Sequence, residues 1–375
     1  MKRKKIEQYG TILIFCIVIY GFLFMHILSP DKKISVSERR KYAQFPQISQ
    51  SAILDGSFSS NFESYLLDQF PMRDTLRMAK SVLRFFVFRQ MDNHDIYIAE
   101  NSAIKIEDTL DEKQVLLAVD KMKYCFRKYL KNCQVYYAVI PDKAYYASEE
   151  KGYPHYSYAR LQEIMQAELS EKFTYINLFD TLDLSDYYRT DSHWKQECLQ
   201  PVRDKIAESM LSEKYDNWSD LLPDWSEYKV GSIKNFYGVY YGQSALPMGS
   251  DTIHYLMSSG TNEAIVSSAE KPGDLAVYQD DNNSLDKYDV FLHGAQALLT
   301  ITNPNASTDK ELIIFRDSYG SSLAPLFIDT YEKITLIDLR YVTSEYLGKI
   351  YEFHERSDVL FLYSTTVLNT GSILR

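Results

Sequence analysis

Two short stretches hold residue types whose spacing could support acyl chemistry. Phe315-Arg316-Asp317-Ser318-Tyr319-Gly320 follows the apolar run Leu312-Ile313-Ile314-Phe315 and precedes a predicted helix. A serine at such a junction presents its hydroxyl and backbone N–H at the rim of an α/β sheet, where these folds carry their chemistry. A nucleophilic serine needs a base and a group to orient that base. Asp191-Ser192-His193-Trp194 supplies both. In an extended segment residues i and i+2 project to one side, so Asp191 can accept from His193 Nδ1–H and leave Nε2 free to deprotonate the serine. Helix capping is the alternative at each place, Asp191 or Ser192 before a helix near Trp194 and Asp317 or Ser318 before one near Gly320. At Ser318 the two roles are compatible, because free N–H groups at a helix start can also hold an oxyanion. Finding both stretches in one chain favours a triad, and the expectation is geometric: Ser318 Oγ within about 4 Å of His193 Nε2.

The elements that must position these residues follow from hydrophobic periodicity. Helices are predicted at 111–130, 158–171, 194–212, 321–330 and 344–353, and strands at 134–140, 173–177, 290–292, 312–315, 334–337 and 359–362. Apolar runs of four to seven residues alternating with helices indicate a largely parallel sheet covered on both faces, a three-layer α/β domain. Residues 213–310 are less regular and read as an insertion, with an Asp/Asn-rich patch from Gln279 to Asp286. The preceding stretch, 29–100, reads as a helical connecting and packing region, and 101–375 as the catalytic domain.

At 375 residues and 45% hydrophobic content the chain can bury a full core. Its net charge is −10, but Lys2, Arg3, Lys4 and Lys5 against Glu7 leave +3 on the first eight residues and −13 on the rest. That balance argues against a nucleic-acid partner, which requires clustered cations on the folded body. Tyr9 to Leu28 contains no Asp, Glu, Lys or Arg and is long enough for a hydrocarbon core of about 30 Å. The basic residues before it predict a cytoplasmic tail at 1–8, a transmembrane signal anchor at 9–28 and an extracytoplasmic body on a single-pass cell-membrane protein. A cleaved signal peptide is the alternative, but His26-Ile27-Leu28-Ser29-Pro30 does not present the A-x-A-like arrangement of small residues that cleavage needs. Outside the span, Cys125, Cys133 and Cys198 form no CxxC or zinc pattern, so buried free thiols are expected, with a Cys125–Cys133 bridge as the oxidised alternative. No metal or other cofactor is expected.

The motifs resemble a known family. Asp191-Ser192-His193-Trp194, preceded by Tyr187-Tyr188-Arg189-Thr190, is similar to the signature of the DHHW family, and Arg316-Asp317-Ser318-Tyr319 resembles its nucleophile turn. Ser37-Glu38-Arg39, Asp68-Gln69-Phe70-Pro71-Met72-Arg73-Asp74, Ile140-Pro141-Asp142-Lys143 and Asp338-Leu339-Arg340-Tyr341 occur in the order found there. Such proteins are similar to alginate O-acetyltransferases, whose catalytic domain is SGNH-hydrolase-like with the Asp-x-His element before the serine. The resemblance implies Ser318 as nucleophile, His193 as base and Asp191 as orienter. Two departures are Ser192, where the family name has histidine, and Arg316, where many SGNH hydrolases have glycine. For the oxyanion the Ser318 backbone N–H is the first donor, with Gly294 and Asn303 as further candidates. Lys143, Arg340 and Tyr319 are candidates for substrate contact, with an exposed lysine and a structural ion pair as the alternatives for the first two.

The expected function is a membrane-anchored extracytoplasmic O-acyltransferase, an O-acetyltransferase of a cell-surface or secreted polysaccharide, working through an acyl-serine. The resemblance implies a membrane-bound O-acyltransferase as acyl supplier and a polysaccharide as acceptor. A carbohydrate esterase using the same triad and a non-catalytic glycan-binding scaffold are the alternatives.

Overall fold

The computed structural model describes residues 2–279 and 284–375, with the side chains of 2–7 and 148–151 excepted. The basic side chains of the tail and residues 280–283 of the Asp/Asn-rich patch therefore lie outside the described residues. The chain divides into two compact units, residues 1–94 with 241–248, and residues 95–240 with 249–375.

The larger unit is built on a seven-stranded sheet. Its strands are β1 (Gln134–Ile140), β2 (Thr174–Ile176), β3 (Ile265–Ser268), β4 (Leu298–Thr302), β5 (Thr308–Arg316), β6 (Tyr331–Ile337) and β7 (Asp358–Ser364). They lie in the order β2-β1-β7-β5-β6-β4-β3. The first five are parallel, while β4 and β3 extend the edge in antiparallel pairing. Alternation along each strand divides the core in two. Leu312 and Ile314 of β5 join Tyr136, Ala138, Leu360 and Leu362 on one face, under the helix Gln200–Leu211. Ile313 and Phe315 join Val135, Tyr137, Val359 and Phe361 on the other, under Glu112–Tyr129 and Tyr158–Leu169. This is the expected three-layer α/β domain with a largely parallel sheet. Counted from β5 onward, the five parallel strands have the order 2-1-3-4-5 of a doubly wound sheet. The strand after β5 pairs on one side of it and the next on the other. The carboxyl end of β5 is thus a topological switch point, the place where such sheets bind ligands.

Several predicted elements differ. The helix expected from Trp194 begins at Gln200, with Pro201 in its first turn, because Trp194 instead bridges back to Tyr187. The helix after Ser318 is only Gly320–Leu323 followed by the tighter turn Ala324–Phe327, since Pro325 has no N–H to donate. Residues 287–290 form a 3₁₀ turn rather than leading into a strand, and Phe291 makes an isolated bridge to Tyr278. Within the insertion at 213–310, β3 and β4 join the edge of the main sheet.

The smaller unit contains the 27-residue helix Lys2–Leu28, the helix Ser57–Asp68 and the helix Arg73–Val82, which continues through a π-helical turn at Leu83–Val87. Glu38, Asp68 and Arg73 from the motif-like stretches form one ion cluster with the neighbouring Arg40: Arg40 grips Asp68 at 2.5 and 2.7 Å, and Arg73 meets Glu38 at 2.5 Å. Residues 241–248 belong here, tied by Arg77 to Gly242 O at 2.6 Å and by Asn93 to Ser244 O at 2.7 Å. Among the described residues one helix, over Gln8–Leu28, is long and apolar enough to cross a membrane.

Candidate active site

Strand β5 ends at Arg316, and the next two residues turn out of the sheet. Asp317 fixes that turn by accepting from Tyr319 N at 3.0 Å and from Ser364 N, at the end of β7, at 2.8 Å. The switch-point crevice is pinned by this one carboxylate. Gly320 is required because a Cβ there would stand 2.7 Å from Arg316 Cβ. Arg316, at the position of the SGNH glycine, is fully buried, with Nη1 3.4 Å from Asp317 O and 3.8 Å from Asp338 Oδ2.

The second stretch is a tight reversal in which Tyr188 N donates to His193 O at 3.0 Å and Lys195 N to Asp186 O at 2.8 Å. Within it His193 Nδ1 lies 2.6 Å from Asp191 Oδ1, and Nε2 lies 2.7 Å from Ser318 Oγ. With Nδ1 protonated, the ring donates to the carboxylate and accepts from the serine, the arrangement a general base needs. Asp191 has no exposure, and its other oxygen accepts from Val239 N at 2.7 Å. Ser318 and His193 are only half-buried, so a substrate can reach them. Ser192, the departure from the family signature, keeps its hydroxyl 3.4 Å from Asp191 Oδ1.

Aromatic rings hold the imidazole. Tyr288 stacks on His193 at 4.0 Å with an interplanar angle of 17°, and Tyr319 packs at 4.8 Å. An imidazolium formed during catalysis would be stabilised by a ring face at this distance. Burial raises both phenols, which stay neutral. Their hydroxyls are already engaged: Tyr288 donates to Ser322 Oγ at 2.9 Å, Tyr319 to Ser192 O at 2.8 Å. Trp194 Nε1 also donates to Ser322 Oγ, at 2.8 Å. Tyr319, expected at the substrate, therefore joins the two halves of the site instead.

Further support comes from below. Asp251 accepts from Thr190 N and Oγ1 at 2.8 and 2.6 Å and from Arg189 N at 3.2 Å. Lys143, expected at the substrate or exposed, is buried, and its ammonium points to Ala103 O at 2.5 Å, Tyr188 O at 2.8 Å, Asp191 O at 3.0 Å and Arg189 O at 3.3 Å. Burial pulls its pKa down to about 7, with Asp191 and Asp251 pulling the other way. The gathered carbonyl oxygens make this a socket for a cation, so Lys143 positions the His193 loop.

Gly238 packs against the same loop. A Cβ on it would sit 2.3 Å from Asp191 Cβ and 2.4 Å from Thr190 O. Because part of that obstruction is backbone, Gly238→Ala is expected to push Asp191 aside, costing about 1–3 kcal/mol of stability and roughly a hundredfold in turnover. Urea unfolding and steady-state kinetics on the purified variant check both numbers.

The other expected site residues lie elsewhere or are already committed. Arg340 is clamped on Asp338 through Nε and Nη2 at 2.9 and 2.6 Å, which is the structural ion pair. Gly294 does not offer an oxyanion donor: its N–H donates to Phe291 O at 3.3 Å, and Asp289 Oδ1 stands 2.3 Å from where its Cβ would be. Asn303 is at the wrong end of the sheet. It follows Thr302, which pairs with Lys333 near the start of β6, and its amide donates to Ile328 O at 2.9 Å. The Ser318 N–H has no acceptor among the described residues, which leaves it the candidate oxyanion donor on this turn. Among the described residues no three of His, Cys, Asp and Glu converge on a metal-binding group. All four cysteines are free, so the Cys125–Cys133 alternative does not apply, and burial pushes the thiols of Cys125 and Cys198 up to about 12.

No protein-family model and no curated protein matches the sequence. Solved structures do match. A DHHW family protein from Eubacterium siraeum superposes with a TM-score of 0.58 at 20% identity, over 74% of this chain and 93% of that one. Bacillus cereus PatB1 superposes with a TM-score of 0.59 at 14% identity, over 75% of this chain and 98% of that one. The same protein carrying a sulfonyl adduct gives 0.57 at 14% identity, over 73% and 95%. This chain has their fold. A DHHW family protein is thus among the structural neighbours, as the motifs at 191–194 and 316–319 lead one to expect, and the fold class is the SGNH-hydrolase-like α/β arrangement.

Proposed function

We propose that the protein is a membrane-anchored extracytoplasmic O-acyltransferase, transferring an acetyl group to a cell-surface or secreted polysaccharide through an acyl-serine at Ser318. The observation that carries this reading is the unbroken relay Asp191–His193–Ser318, with contacts of 2.6 and 2.7 Å at the switch point of the sheet. A PatB1 structure with a sulfonyl adduct adds support, since a sulfonyl group is retained where a strong nucleophile takes it.

In the first half-reaction Ser318 Oγ bonds to the acyl carbonyl carbon while its proton passes to His193 Nε2. The carbonyl oxygen takes the negative charge beside the Ser318 N–H, and Asp191 and the Tyr288 face stabilise the imidazolium. The bond to the leaving group then breaks, and that group departs with the proton from Nε2. In the second half a sugar hydroxyl gives its proton to Nε2 and attacks the acyl-serine carbonyl. Collapse expels Ser318 Oγ, which recovers the proton. The acyl group would come from a membrane-bound O-acyltransferase partner, because acyl-CoA is cytoplasmic. An N-terminal helix able to span the bilayer suits such a partner.

Incubating the protein with a labelled acetyl ester and an acetyl-free oligosaccharide tests this. Label on the oligosaccharide is the expected result. Release as free acetate with no transfer would assign the same triad to a carbohydrate esterase.

A further inference from the structure

The smaller unit carries an apolar surface that the catalytic reading leaves unused. From Arg73 through Val87 the chain is helical, and Leu76, Leu83, Phe86 and Val87 are 41, 47, 66 and 60% exposed, with Met72 just before the first turn 53% exposed. Leu76 and Leu83, seven residues apart, share one face of the helix, and Phe86 and Val87 extend it in the π-helical turn. Lys80 and Arg84 flank that face. A helix with a wide apolar face that stands exposed among the described residues and carries a basic margin has the features of one lying in a membrane interface.

Contacts within the same unit give the depth. Phe70, immediately before this helix, stacks on Phe22 of the apolar helix with ring centroids 5.2 Å apart. Phe22 lies six residues before Leu28, so it is about 9 Å inside the end of the span. Tyr65 packs edge-on against His26 at 5.8 Å, higher on the same helix and at the level where tyrosines favour lipid headgroups. If Gln8–Leu28 crosses the bilayer, Phe70 enters the acyl region and the helix that follows starts at the headgroup boundary. An interfacial helix buries its apolar face by about 5–10 Å, the depth that Phe70 marks. Charge agrees, since residues 29–94 hold ten Lys and Arg against seven Asp and Glu in a chain of net charge −10.

We propose that the apolar face of residues 76–87 lies in the outer leaflet of an anionic bilayer, as a second membrane attachment beside the spanning helix. The proposal rests on reading Gln8–Leu28 as a membrane span. It gives the lipid surface a defined protein contact, made by Leu76, Leu83, Phe86 and Val87 and bordered by cations that meet phosphate headgroups.

The test uses the full chain in proteoliposomes of phosphatidylcholine and phosphatidylglycerol, with bromine on the acyl chains as a quencher. Phe86→Trp and, independently, Leu83→Trp add a reporter at exposed positions, and Tyr20→Trp reports the span. Emission above that of the parent protein is read. Loss of most of the added emission at 86 and 83 with brominated lipid, together with protection from aqueous acrylamide, is the expected result. If Tyr20→Trp is quenched while the other two are not, the face is not in lipid and the proposal fails. Acrylamide access would then mean that water covers the face, and protection that a second copy of the chain does. If Tyr20→Trp also escapes quenching, the span reading itself fails and this proposal with it.

Discussion

Ser318→Ala is expected to lower acyl turnover by about ten-thousand-fold or more while leaving the fold intact, because the hydroxyl is half-buried and its contact of interest is His193 Nε2 at 2.7 Å. His193→Ala should cost about as much. The double variant should cost little more, since residues that act as one unit are non-additive. Asp191→Asn gives the more diagnostic result. In the native chain the carboxylate accepts from His193 Nδ1, His193 N and Val239 N, and it has no proton to donate. An asparagine amide turned toward Nδ1 would donate to it, moving the ring proton to Nε2 and leaving nothing to accept from Ser318. Turnover should fall by roughly ten-thousand-fold through this tautomer change, with circular dichroism unchanged. Burst kinetics with a chromogenic acetyl ester would show the acyl-serine in the parent and none in Ser318→Ala. Equal turnover in Ser318→Ala and parent would remove catalysis from this turn.

The two halves of this site were visible in sequence because the chemistry of each is local. An apolar run ending in Asp-Ser before a glycine reports a strand leading into a turn, and an Asp-x-His pair reports one side of an extended segment. The parallel strands were visible for a similar reason, as residues 312–315 of β5 and 359–362 of β7 are continuously apolar and buried on both faces. What failed depended on partners far along the chain. Nothing near Tyr288 announces that it stacks on His193, and nothing near Val239 or Asp251 announces the backbone and side-chain bonds that hold Asp191 and Thr190. Residue type alone misplaced the oxyanion candidates. A glycine or an asparagine can donate, but Gly294 spends its N–H inside its own turn, and Asn303 caps the opposite end of the sheet. The helix predicted from Trp194 lost to tertiary contacts, because Trp194 gains a fully buried place and a bond to Ser322 by staying out of it.

Lys143→Met should damage both the fold and the chemistry, and pH should separate the two effects. The ammonium has three hydrogens for the carbonyl oxygens of Ala103, Tyr188, Arg189 and Asp191, all drawn toward one buried point. Methionine fills the space without donating, and stranded buried acceptors cost about 1–3 kcal/mol each before relaxation. A loss of about 3 kcal/mol in urea unfolding is therefore expected, with roughly a hundredfold fall in kcat as the Asp191–His193 loop shifts. In the parent, burial has lowered the lysine pKa from 10.5 to about 7. Between those values the unfolded chain binds more protons than the folded one, so this group alone makes global stability rise with pH. The loop behaves in the opposite sense. A neutral amine keeps only two hydrogens and no charge, so its hold on the gathered carbonyls weakens as pH rises through about 7. Turnover should decline over a window in which unfolding free energy does not, and Lys143→Met should lack that decline. A parent whose turnover and stability fall together above neutral pH, or a variant that keeps the same alkaline limb, would exclude Lys143 as the group that ties catalysis to pH.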